Sequence, residues 1–225
     1  MTGVILAAGI GSRLGAPMPK GLMKLPGGET ILARQVRILT EAGIEKIVIV
    51  VGYERELIQQ SIPGVTFAHN PRYAETNTAK SLLCACNVID DDILWLNGDV
   101  VFDEGVIPQM IRQNDNTVLV DSAECGDEEV KYRADESNSI LEISKEVENG
   151  HGEALGINLI RKGSLDDFSA ALTECKDNDY FERAIQLLID KGIVFKKLEL
   201  PLLKCIEVDF EQDWNRALEM FRGEE

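Results

Sequence analysis

Leu6-Ala7-Ala8-Gly9-Ile10-Gly11-Ser12-Arg13-Leu14, followed by Pro19-Lys20, carries the strongest signal in the chain. The apolar run Gly3–Ala8 reads as a buried parallel strand that ends at a glycine. Two glycines then let the backbone come close to a ligand and aim its N–H groups at phosphate oxygens. Arg13 adds a fixed fork of donors and Lys20 a compact positive charge, a pair suited to a triphosphate whose departing pyrophosphate gathers charge. Two rival glycine motifs fail on spacing. A dinucleotide fingerprint needs a third glycine where Leu14 stands, and a Walker A loop needs glycine directly before Lys-Ser/Thr, whereas Lys20 lies between Pro19 and Gly21.

Working outward, apolar runs of strand length alternate with helical periods. Thr30 opens a helix whose Leu32, Val36 and Leu39 recur at i, i+4 and i+7, and Gly43 stops it. Ile47–Val51 is a second buried strand. A helix over Glu54–Ser61, a strand at Val65–Phe67, a helix through Leu82, Leu83 and Val88, and a strand Ile93–Leu96 ending at Asn97-Gly98-Asp99 follow. Gly105–Gln113 reads as helix and Val118–Val120 as strand. Short strands at Val130–Ala134, Ile140–Ile143 and Leu155–Ile160 come next, then helices through Leu165–Leu172 and Phe181–Ile189. Strands at Val194–Leu198 and Cys205–Val208 and a helix over Phe210–Phe221 close the chain. The order predicts an α/β fold: a Rossmann-like, doubly wound, mostly parallel sheet flanked by helices, with a small strand-rich insertion. One domain over 1–225 is expected, with a first half to about 121, a second over about 122–209 and a closing helix at 210–221.

The 225 residues suffice for one large core, and 44% hydrophobic with 28% charged residues is ordinary for a globular protein. A net charge of -16 argues against a duplex- or membrane-binding surface, and no apolar run reaches the length of a membrane span. Five scattered cysteines (Cys84, Cys86, Cys125, Cys175, Cys205) form no zinc pattern and suit a reducing cytoplasm.

The Leu6–Leu14 string with Pro19-Lys20 resembles the signature of the sugar-phosphate nucleotidyltransferase superfamily. From Gly3 nearly to Phe221 the chain is similar to its choline-phosphate cytidylyltransferase branch, which includes enzymes for aminoethylphosphonate. The resemblance implies nucleotide contacts by Leu6, Ala7, Ala8, Gly9, Gly11, Ser12, Arg13 and Gly98, and catalytic roles for Arg13, Lys20 and Lys145, the last holding the acceptor's phosphate. It makes Asp99 and Asp209 the ligands of Mg²⁺; either alone would read more commonly as a cap or turn residue. Asn77 and Ser81 would touch base or ribose, yet also read as a helix N-cap and a first-turn residue. Glu153, Asn158, Tyr180 and Glu182 would face the acceptor, an aromatic face and a carboxylate suiting a cationic end. Glu153 reads equally as a surface charge, and Phe181 as core. Hexose-activating relatives carry glutamate where Ser144 stands, which argues against a hexose acceptor.

The expected enzyme is a Mg²⁺-dependent cytidylyltransferase that joins CMP from CTP to a small phosphate or phosphonate such as phosphocholine, phosphoethanolamine or 2-aminoethylphosphonate. An inositol, methylerythritol or sugar phosphate as acceptor, and a nucleotide-binding regulator without turnover, are the alternatives. CTP against UTP stays open, as does a homodimer; neither nucleic acid nor membrane is expected as a partner.

Overall fold

The computed structural model describes residues 1–11, 18–123, 126 and 129–223. Ser12 and Arg13 lie outside the described residues, as does Cys125. Strand β1 (Thr2–Ala7) pairs in parallel with β2 (Lys46–Val51) on one side and β4 (Ile93–Asn97) on the other, and β3 (Thr66–His69) adds in parallel to β2. Alternate residues of these strands serve opposite faces. Val4, Leu6, Val48, Val50 and Trp95 point to one buried cluster, and Ile5, Ile49, Val51, Leu94 and Leu96 to the other. Helices on both faces are what such doubly apolar strands require, each fully buried Val, Leu or Ile contributing about 1.5–3 kcal/mol. One face takes α1 (Ile31–Glu41), α2 (Arg55–Ser61) and α4 (Val106–Ile111). The other takes α3 (Thr78–Cys86), α5 (Leu165–Glu174) and α6 (Phe181–Asp190).

The local signals act as their chemistry directs. Thr30 caps α1 by accepting from the Ala33 N–H at 3.2 Å, and Gly43 follows the helix at φ 89°. Val88 falls outside α3 and is 70% exposed, so the apolar period over-ran the helix there. The sheet continues β4–β9–β6–β10, with β6 (Asn116–Asp121), β9 (Gly152–Ile160) and β10 (Phe195–Glu199). Strand β9 runs antiparallel to both β4 and β6, which makes the sheet mostly parallel. The hairpin β7 (Lys131–Ala134) and β8 (Ile140–Ser144) joins it through β9, the strand-rich insertion.

A second, two-stranded ribbon lies outside this sheet. Residues Val100–Phe102 form β5 directly after Asp99 and pair antiparallel with β11 (Cys205–Glu207). Val101, Ile206 and Val208 pack under α7 (Glu211–Met220) with Ala217 and Phe221. Among the described residues no helix is long and apolar enough to cross a membrane, and the described cysteines are free.

Candidate active site

The carboxyl ends of β1 and β4 meet side by side, the position where open α/β sheets bind ligands. Gly98 N–H donates to the Leu6 carbonyl at 2.9 Å, and a Cβ on Gly98 would lie 2.7 Å from that same oxygen. Glycine is therefore the residue that lets the two strand ends touch. Gly11 adopts φ 65°, and the aliphatic stem of Lys20 rests where a side chain on Gly11 would stand. Lys20 itself begins a single 3₁₀ turn, Lys20–Leu22.

Asp99 follows β4, and Asp209 follows β11. The β5–β11 ribbon brings them together: Glu207 pairs with Val100, and the Val208 N–H donates to the Asp99 carbonyl at 3.0 Å. Lys20 Nζ donates to Asp99 Oδ2 at 3.1 Å and to Asp209 Oδ1 at 2.7 Å. Burial works against the lysine's charge, but the Asp99 charge and the Asp209 hydrogen bond outweigh it and hold its pKa above the ordinary value. Burial likewise lifts Asp99, with Lys20 offsetting part of the rise.

The chemistry of this donor set fits Mg²⁺. Two carboxylates already converge on one cation, and Mg²⁺ takes oxygen ligands, commonly one or two carboxylates completed by water and phosphate. Among the described residues no group of three or more His, Cys, Asp or Glu side chains is arranged to hold a metal, so the ligands available are a pair.

One cleft of about 540 Å³ is lined by Leu6, Ala7, Gly9, Gly11, Lys20, Gly98, Asp99, Lys145, Glu153, Tyr180, Glu182 and Asp209. The glycine loop, the aspartate pair and the group Lys145, Glu153, Tyr180 and Glu182 thus line one cleft. Ala8 is buried behind it, its carbonyl accepting from the Tyr53 N–H at 3.1 Å.

Three expected contacts are not on that wall. Asn77 caps α3, its side chain accepting from the Thr78 N–H at 2.8 Å, while its own N–H donates to the Asp177 carbonyl at 2.7 Å. Ser81 is buried and accepts from Asn70 Nδ2 at 3.0 Å. Asn158 lies in the sheet interior, 1% exposed, opposite Trp95 and Val118. Of the two readings open for Asn77 and Ser81, the structure places them in the cap and the helix.

The far side of the cleft is acidic. Lys145 Nζ sits 4.9 Å from the centre of the Tyr180 ring, within reach of a cation–π contact. Glu182 is 7% exposed, and its Oε2 has no hydrogen-bond partner. Burial pushes its pKa up to about 7, against the pull of a backbone hydrogen bond and of Lys145. Glu153 rises to about 6 through burial and the neighbouring Glu129 and Asp121. Phe181 is 1% exposed and belongs to the core.

Glu182 yields a pH prediction. Between its ordinary 4.5 and about 7 the folded protein holds a proton that the unfolded chain has lost, so the wild type loses stability as pH rises through that window. Glu182→Gln removes this loss. The variant is expected to be more stable than wild type at pH 8 by up to about 3 kcal/mol, from about 2.5 pH units at 1.36 kcal/mol each, with no gain at pH 4. Thermal melts across pH 4–8 check this; a difference independent of pH would contradict it.

Glu207 was passed over in favour of its neighbour Asp209. It accepts from Asn97 Nδ2 at 2.9 Å and lines the cleft, and burial with Asp99 and Asp209 nearby raises its pKa well above the carboxylate range. The signal was present: with Val208 fully buried on an extended segment, Glu207 and Asp209 must share the opposite side. Arg216, on α7, also lines the cleft, and no local pattern pointed to it.

Comparison with known proteins agrees with this architecture. Solved structures of the inositol-1-phosphate CTP transferase from T. maritima (TM-score 0.84, 17% identity, 99% of this chain and 96% of that one) and of the CTP:phosphocholine cytidylyltransferase from Streptococcus pneumoniae (TM-score 0.81, 19% identity, 98% and 99%) share the fold. In sequence, the chain is 36% identical over 116 residues to the CMP-5'-(3-aminopropyl)phosphonate synthase of Streptomyces rubellomurinus, covering 48% of this chain and only 18% of that protein. It is 31% identical over 100 residues to the 2-aminoethylphosphonate cytidylyltransferase of Lancefieldella rimae, covering 41% and 40%. The UTP–glucose-1-phosphate uridylyltransferase AglF of Haloferax volcanii is 28% identical over 100% of this chain and 98% of its own length. Residues 3–181 match the MobA-like NTP transferase domain, and the chain accordingly belongs to that family of nucleotidyltransferases.

Proposed function

We propose that the protein is a Mg²⁺-dependent cytidylyltransferase that transfers CMP from CTP to a small phosphate or phosphonate bearing a cationic end. The observation that carries this reading is the meeting of glycine loop, Lys20, Asp99 and Asp209 on one cleft whose far side is acidic. Besides the aspartate pair, Asp121, Glu129, Glu153, Glu182, Glu207 and Asp213 line it against Lys145 and Arg216, a surface that favours a positive group on the acceptor. The two phosphonate enzymes among its relatives bear names of amino-phosphonates, which supports the same class.

The nucleotide would rest on the loop from Leu6 to Gly11 and on Gly98, and the family resemblance adds Ser12 and Arg13 as contacts. Mg²⁺ held by Asp99 and Asp209 would supply charge neutralisation on the phosphates. Lys145, near the Tyr180 ring, would hold the acceptor's anionic head, and Tyr180, Glu182 and Glu153 its cationic end. An acceptor oxygen forms a bond to the α-phosphorus while the bond from that phosphorus to the β-bridging oxygen breaks and pyrophosphate departs. The attacking oxygen is already ionised near neutral pH, so the chain's residues act by positioning and charge stabilisation rather than as a base. The halves before and after about residue 121, closed by helix 210–221, would act as nucleotide and acceptor sides of a single domain.

A sugar or inositol phosphate is the second reading, favoured by the full-length match to a glucose-1-phosphate enzyme. Against a hexose, Ser144 turns back to accept from the Glu146 N–H at 3.1 Å. Pyrophosphate release measured with four nucleotides against phosphocholine, phosphoethanolamine, 2-aminoethylphosphonate and polyol or sugar phosphates separates them. CTP with an amino-bearing acceptor is expected to give the highest kcat/KM. Preference for a sugar phosphate would overturn the acceptor, preference for UTP the nucleotide, and silence throughout the enzyme itself.

A further inference from the structure

We propose that Lys20 is an internal counter-cation that keeps a divalent metal off the Asp99–Asp209 pair until nucleotide phosphates draw its ammonium away. Metal and nucleotide would then enter the site together rather than the metal first. This rests on the reading of the two aspartates as metal ligands given above.

The aspartates are fixed by backbone, not by each other. Val208 N–H donates to the Asp99 carbonyl, and β5 and β11 pair on the adjoining residues, so the backbone holds the two aspartates side by side and their charges repel. A cation has to stand near both, and the Lys20 ammonium does, at 3.1 and 2.7 Å. Its side chain is 10% exposed, so it is a built-in part of the site rather than a surface ion pair. A divalent ion shared by the same oxygens would lie within contact of that ammonium, and like charges at that distance exclude one another.

The lysine also has somewhere to go. Its stem packs against Gly11, at φ 65° in the loop that reaches the cleft, so rotation about its outer bonds can move the ammonium while the stem stays in place. Phosphates seated on the loop offer oxygens in exchange for the carboxylates it leaves. Lys20 thereby couples two occupants of one site, since each binds better once the other has come.

The test measures Mn²⁺ binding by electron paramagnetic resonance without nucleotide, in wild type, Lys20→Met, Lys20→Gln and the charge-retaining Lys20→Arg, with folding checked by circular dichroism. The two neutral variants are expected to bind Mn²⁺ at least about tenfold more tightly than wild type. Their melting temperatures should also rise with Mg²⁺ alone, while Lys20→Arg stays like wild type. Adding Asp209→Asn to Lys20→Met should abolish the gain. Equal Mn²⁺ affinity in wild type and both neutral variants overturns the counter-cation role and leaves the aspartate pair as ligands. No Mn²⁺ bound by any form even with a non-hydrolysable CTP analogue overturns the metal assignment as well.

Discussion

Asp99→Asn is expected to lower kcat/KM for nucleotidyl transfer by about 10²–10³-fold, the loss that follows removal of one fixed stabilising group at a reacting phosphate or acyl centre. Asparagine keeps the shape and one oxygen but not the charge needed beside a second carboxylate. The fold should survive, because the ribbon bond uses the Asp99 backbone carbonyl and not its side chain. Lys20 also keeps Asp209 at 2.7 Å, so its ammonium is not stranded. Steady-state rates with circular dichroism of the same samples check the result, and Mg²⁺ titration should show a raised half-saturation. Wild-type turnover in this variant would remove the aspartate pair from the mechanism.

Phe181→Ala is expected to cost about 3–5 kcal/mol of stability, a large share of the roughly 5–15 kcal/mol that such domains possess. The ring is 1% exposed and stands edge-on to Trp95 at 5.6 Å, while Trp95 meets Phe168 at 5.1 Å. This aromatic cluster fastens α5 and α6 to the sheet. Because Tyr180 and Glu182 flank Phe181, loosening it should raise KM for the acceptor more than for the nucleotide. Phe181→Leu should lose less on both counts. Denaturant midpoints and the two KM values measure the effect; an alanine variant within about 1 kcal/mol of wild type would contradict it.

Periodicity made most of the elements legible. Val4–Leu6, Ile47–Val51 and Ile93–Leu96 are continuous apolar runs buried on both faces, short and bounded by turn residues, the pattern of a buried strand. Ends were less legible, as Val88 shows, because an apolar residue continues a period whether or not the backbone still turns. Strand β5 was missed since three residues, Val100–Phe102, directly follow a strand end and acquire their identity only from β11. In the site, the meeting of Gly98, Asp99 and Asp209 on one cleft was legible only through the family resemblance, since either aspartate alone reads as a cap or turn residue. The ion pair from Lys20 to both aspartates was not, since it joins residues distant in sequence and no period reports it. For Asn77 and Ser81 the sequence left two readings open, because a cap and a ligand contact ask for the same side chains, and the structure shows the cap and helix bonds.

The small ribbon of Val100–Phe102 with Cys205–Glu207 ties the two ends of the molecule's history together. A chain that has formed only β1 to β4 possesses its glycine turn but has nothing across from Asp99. The second carboxylate arrives when residues near the C-terminus come home, among the most non-local contacts this topology contains. Half-finished protein therefore lacks the assembled pair, and the meeting of both carboxylates at Lys20 becomes a sign that the last stretch has docked.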